Sequence, residues 1–190
     1  MTRLPSLQNV LNATKKTIFR FPLETISSIC GSIFAILLID EKSDSLEKLY
    51  VKLIMCSALC LALFLSISLF FATTKKSIIL RFVTSLLLGG LITAFVFSFG
   101  EDISEVEAQQ YMVLNIALHL LVSFAGFLPK SYNQDEFWEF NKQLFLRILT
   151  SALYSIVLYG GLALALLAIK ELFNVDFDEK IYGYLFFIIA

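Results

Sequence analysis

Five long runs of apolar side chains, and the beginning of a sixth, fill almost the whole chain. They lie at about 21–39, 53–73, 78–99, 111–128, 144–169 and 181–190. A helix rises about 1.5 Å per residue, so roughly 20 apolar residues cross the hydrocarbon core of a bilayer. The first five runs reach or approach that length. The sixth stops about halfway, and half a span cannot satisfy its backbone in lipid. The expected fold class is therefore all-α: a polytopic transmembrane helix bundle with five full spans and the start of a sixth, part of a longer protein. A soluble helical bundle would carry polar residues at every third or fourth position of its outward faces. The stretch LCLALFLSISLFFA (59–72) lacks that pattern. No small-x-small cleavage site follows the first run, and Pro22 stands at its start, so this run is expected to remain as a membrane helix.

With 15 basic and 16 acidic residues the chain is nearly neutral, which leaves no electrostatic footprint for nucleic acid. The charges sit between the runs, and their signs predict orientation. Lys and Arg are retained on the cytoplasmic side. Arg3, Lys15, Lys16 and Arg20 precede the first run; Lys75, Lys76 and Arg81 follow the second; Lys130, Lys142 and Arg147 follow the fourth. The opposite loops are acidic, with Glu101, Asp102, Glu105 and Glu107 in one and Glu171, Asp176, Asp178 and Glu179 in the other. The mixed loop at 40–52 is the weakest indicator. The N-terminus is thus expected in the cytoplasm. Residues 1–20 read as a cytoplasmic amphipathic segment with Leu4, Leu7, Leu11 and Ile18 on one face, and residues 21–190 as the transmembrane domain. The segment DEFWEFNK (135–142) also looks interfacial, with Trp138 as its anchor.

The third and fifth runs open alike. KSIILRFVTSLL (76–87) and KQLFLRILTSAL (142–153) share Lys, Leu-Arg and Thr-Ser without a gap, and KKTIFRFPLETISSI at the first run matches more loosely. A duplicated helical hairpin, repeated in parallel, is the expectation. Because lipid gives helices no hydrophobic reason to associate, small residues spaced by four should mark their contact lines. Ser27, Gly31 and Ala35 form one such line, Ser85, Gly89 and Thr93 another, and Gly161 and Ala165 a third.

The fourth run differs, since Asn115, His119 and Ser123 stack on one of its faces. His119 is the only histidine, and an ionisable residue at mid-membrane raises a functional hypothesis by default. It could relay protons or touch a substrate. The favoured reading is a neutral imidazole bonded to a neighbouring helix, with Asn115 and Ser123 extending the contact. No intramembrane carboxylate stands as its partner. Glu24 comes closest, but it lies one turn into the first run, near that run's cytoplasmic end. Arg81 and Arg147 are expected to snorkel to the same interface.

There is no nucleophile elbow, phosphate loop, HExxH or Cys-x-x-Cys, so neither catalytic nor cofactor-binding residues are assigned. Cys30, Cys56 and Cys60 all fall inside membrane runs with no His or carboxylate near them in sequence; they read as packing thiols, and no metal site is assigned.

Two stretches carry a family likeness. RFPLETISSI (20–29), and residues 137–186 with their FW-x-x-N-K-x-L-x-L-R run, Gly-Leu-Ala region and closing Leu-Phe, resemble the bacterial membrane family catalogued as domain of unknown function 4153. The resemblance implies a bacterial cytoplasmic-membrane protein that continues past this sequence. It implies no activity and no catalytic residues. The expected role is a non-enzymatic membrane scaffold or subunit. Its partners would be the lipid bilayer and further helices of the same protein or of other membrane subunits, with no nucleic acid and no cofactor. A transporter with the Asn115–His119–Ser123 face along its path is the alternative, and a membrane-embedded enzyme acting on lipid the third.

Overall fold

The computed structural model describes residues 7–74, 77–129 and 133–189. Among them are seven α-helices and no strand: α1 (Leu7–Arg20), α2 (Pro22–Asp40), α3 (Asp44–Thr74), α4 (Ile78–Phe97), α5 (Glu105–Ala125), α6 (Gln134–Phe173) and α7 (Lys180–Ile189). The five from α2 to α6 are long and apolar enough to cross a membrane, which makes this a multi-pass membrane protein. Leu4 of the amphipathic face, and Arg3, Lys75, Lys76 and Lys130 among the basic residues that predict orientation, lie outside the described residues.

Several helices outrun their apolar runs, which corrects the expected boundaries. The mixed loop at 40–52 shrinks to 41–43, because α3 already starts at Asp44. Asp44 and Glu47 complement the positive end of the helix dipole, and Asp44 takes Lys48 at 2.9 Å one turn on. α5 starts at Glu105, well before the apolar run. The Ser104 hydroxyl accepts from the Glu107 N–H while the Glu107 carboxylate accepts from the Ser104 N–H, a reciprocal cap, and it also takes the Gly100 N–H at 2.7 Å. Half of the acidic loop at 101–107 is thus the first turn of a helix. α6 starts at Gln134 behind Asn133, whose side chain accepts from the Asp135 N–H at 3.0 Å, so DEFWEFNK forms its opening turns. It ends at Asn174, which adopts φ 52°, a left-handed conformation that asparagine tolerates.

The chain groups into two compact units, Met1–Cys30 with Cys56–Pro129, and Gly31–Met55 with Lys130–Ala190. The first is organised on α3, whose apolar window is 44% covered, against 11% and 17% for α4 and α5. Cys56, Leu59, Cys60, Leu63, Ser66 and Ile67 step by three and four along one buried face, and Ala62 and Ser68 are buried on its two sides. α4 meets this core through Ser85, Gly89, Ile92 and Val96, and α5 contributes Leu118, Val122 and Ala125. Gly89 is where side chains of α3 come close to the α4 backbone. A Cβ there would lie 2.9 Å from Cε1 and Cζ of the Phe64 ring, and Cys60 Sγ approaches the Gly89 carbonyl at 4.0 Å. Gly89→Ala should therefore cost about 1 kcal/mol, at the low end for overpacking because the far edge of a ring can yield. Gly90→Ala, with nothing within 4 Å of its Cβ position, should be neutral or slightly favourable. Thermal unfolding of the two variants in detergent checks the contrast.

In the second unit α7 packs beside α6. Phe186 meets Tyr159 edge-on at 5.6 Å, and the Ser155 hydroxyl donates to the Ile189 carbonyl at 3.4 Å. The end of α2 also reaches α7. Ile39 Cδ1 lies 3.0 Å from where a Gly183 Cβ would be, and Asp40 accepts from Lys180 Nζ at 2.7 Å and from the Tyr184 hydroxyl. Asp40 closes α2 beyond its apolar run. The Lys180 bond, then the Tyr184 bond, hold its carboxyl below the ordinary 3.8. The same bond raises Lys180 above its ordinary 10.5. The sign follows: this tie is complete between those ordinary values, and it fades as pH falls through the depressed Asp40 value or rises through the raised Lys180 value. It is exposed, so salt screens it.

Candidate functional site

The polar face of the fourth run lies on α5, in the first unit. Asn115 and Ser123 are half-buried, and His119 is exposed. The expectation that the ring bonds to a neighbouring helix is not met, since its Nδ1 lies 2.8 Å from the Asn115 carbonyl one turn earlier on its own helix. Intrahelical bonding costs nothing in topology and leaves the rest of the ring uncovered by this chain. Tyr111, one turn before Asn115, is half-buried on the same helix. In the second unit a cavity of about 410 Å³ opens between α6 and α7. Leu162, Leu166, Ile169, Leu185 and Ile188 are among its mostly apolar lining.

The small-residue lines divide. Ser27 is buried and donates to the Ser57 carbonyl of α3 at 3.1 Å, and Ala35 is buried while Gly31 is half-buried. On α4, Ser85 and Gly89 are buried, and half-buried Thr93 bonds back to the Gly89 carbonyl at 2.9 Å. The line on α6 is open. Gly161 and Ala165 are exposed, and nothing stands within 4 Å of a Cβ at Gly160 or Gly161. Trp138 is 70% exposed in the opening turns of α6. The thiols of Cys56 and Cys60 are buried, Cys30 is half-buried, and all three are free.

The residue that sequence reasoning underrated is Glu24. It is buried at 8% exposure, and its Oε1 accepts from the Ser68 hydroxyl of α3. Its Oε2 is shielded and has no hydrogen-bond partner among the described residues. The sequence did hold a signal. Glu24 precedes Ser27 by three, so the contact line Ser27–Gly31–Ala35, extended back by one turn, includes it. Around it, Arg81 donates to the Arg20 carbonyl at 3.3 Å, a polar contact at the same end of the first unit.

Compared with known proteins, the chain matches no family model, no curated protein and no solved structure. Among the described residues no group of three His, Cys, Asp or Glu could hold a metal ion.

Proposed function

We propose that the chain is a non-enzymatic integral membrane scaffold or subunit that presents helix faces to partner helices within the bilayer. One observation carries the reading: α6 is 40 residues long and buries none of them. Its Gly160-Gly161 step offers the open, small-residue surface on which another transmembrane helix can approach closely. The exposed His119 adds a polar point on α5 that an incoming helix could satisfy. Exposed Leu11, Ile18 and Phe19 suit α1 to the membrane surface. The resemblance at 20–29 and 137–186 to the bacterial family named above supports a bacterial cytoplasmic membrane, and the basic loops support a cytoplasmic N-terminus.

The experiment is purification of the protein in mild detergent with identification of its stoichiometric companions. Gly161→Ile should weaken that association about 5- to 30-fold, as expected for a helix contact of about 1–2 kcal/mol, with unfolding of the chain itself unchanged. A protein that stays alone at every detergent concentration overturns the reading. Orientation has its own test. With the native cysteines replaced, cysteines at Asp102 and Asp176 should react with a membrane-impermeant reagent in intact cells, and cysteines at Lys75 and Lys130 should not. Labelling at position 75 reverses the orientation.

A further inference from the structure

One carboxyl group of the first unit is buried with no counter-charge among the described residues. Glu24 Oε1 is held by Ser68 Oγ, while Oε2 lies out of solvent without a partner. Among the described residues the charged groups nearest this end are Arg20, one turn before Glu24, and Arg81 of α4, with Lys15 and Lys16 exposed further back on α1. The Arg20 guanidinium lies over the Phe21 ring at 5.1 Å. That of Arg81 lies over Phe82 at 5.3 Å and donates to the Arg20 carbonyl. Among the described residues neither pairs with Glu24. On α3, which supplies Ser68, residues 61–74 contain no ionisable side chain, and Arg81 is the only one on α4. The dipole of α2 favours negative charge in its first turn. That end is not free, however, because α1 leads into it through the Phe21 N–H to the Thr17 carbonyl and the Thr25 N–H to the Phe21 carbonyl.

A buried carboxylate without a cation is costly, in protein or in lipid. A divalent metal ion would need a shell of about six or more oxygens, and this pair offers three. A proton needs one, and Oε2 is the unclaimed oxygen. The geometry points to Glu24, with Ser68, as an intramembrane proton-binding site, the proton on Oε2 and the hydroxyl bond on Oε1. This inference goes beyond the docking role and does not depend on it, since α6 and the His119 face take no part. Loss of the proton leaves a bare carboxylate between α2 and α3 with a single donor, so occupancy of the site is tied to the packing of those two helices.

Infrared difference spectroscopy of the full chain in liposomes, native against Glu24→Gln over a pH series, tests the site. Glutamine keeps an acceptor for Ser68 and should keep the fold. The native protein should show the C=O stretch of a protonated carboxyl that Glu24→Gln lacks, and alkali should abolish it while the helices persist. Dicyclohexylcarbodiimide, whose carbodiimide carbon is attacked by the carboxyl oxygen as the acid proton passes to nitrogen, should label Glu24 in the same pH range. Absence of that band at every pH where the chain is folded overturns the assignment. Protection from the carbodiimide by sodium or calcium ions at constant pH also overturns it and gives the site to a metal cation.

Discussion

Ser68→Ala is expected to destabilise the first unit by about 2 kcal/mol, although it removes a single oxygen. The loss exceeds that of an ordinary hydrogen bond, because the Glu24 carboxyl then has no partner at either oxygen while still buried. Partner removal is asymmetric. Glu24→Leu combined with Ser68→Ala takes away both members of the pair and should recover most of the loss, since an apolar replacement leaves nothing unsatisfied. Unfolding of the two single variants and the double variant in mixed detergent gives the coupling energy directly. If Ser68→Ala unfolds like the native chain, the bond carries no stability. If Glu24→Leu alone proves at least as stable as the native protein, then Glu24 is kept for something other than stability.

Leu59→Ala should cost about 2–3 kcal/mol, the lower part of the range for such truncations in cores. Leu59 is fully buried at the centre of the α3 seam, so the change leaves a void between helices. In water part of the penalty is the lost transfer of methyl groups from solvent. Here the unfolded reference is helix in lipid, which is as apolar as leucine, so the lost packing contacts dominate. Leu86→Ala on the outer face of α4, 63% exposed, is the control and should change stability by well under about 0.5 kcal/mol. Equal losses at the two positions would mean that the α3 seam is not the core of the unit.

The spans were legible because lipid imposes one condition on all of them, a long apolar run, and composition reports it directly. Helix ends were less so. Ser104-x-x-Glu107 is a readable cap, but hydropathy alone places the start of α5 at Tyr111, since capping works on backbone N–H groups whatever the solvent. Asn133 likewise draws α6 back through the charged turns around Trp138. The Glu24–Ser68 pair joins residues 44 apart in sequence, and no periodicity within either helix specifies the other. His119 stood out for its depth, yet its direction was not legible. A membrane helix is apolar on the sides facing lipid and helix alike, so hydropathy does not say which side is covered. The shared Leu-Arg…Thr-Ser stretches sit differently, at the opening of the 20-residue α4 and about three turns inside the 40-residue α6.

The length of α6 sets a mechanical condition on whatever surrounds it. At about 1.5 Å per residue it measures about 60 Å, against a hydrocarbon core of about 30 Å. Even at a steep tilt of about 40° the rod spans about 46 Å along the membrane normal, so about 16 Å must project. The charged turns that open it, with Trp138, are built for that zone. Because the helix is unbroken from Gln134 to Phe173, a grip on its projecting turns is also a grip on the glycines deep in the bilayer. Force or rotation applied at the surface is delivered inside the membrane without passing through a loop.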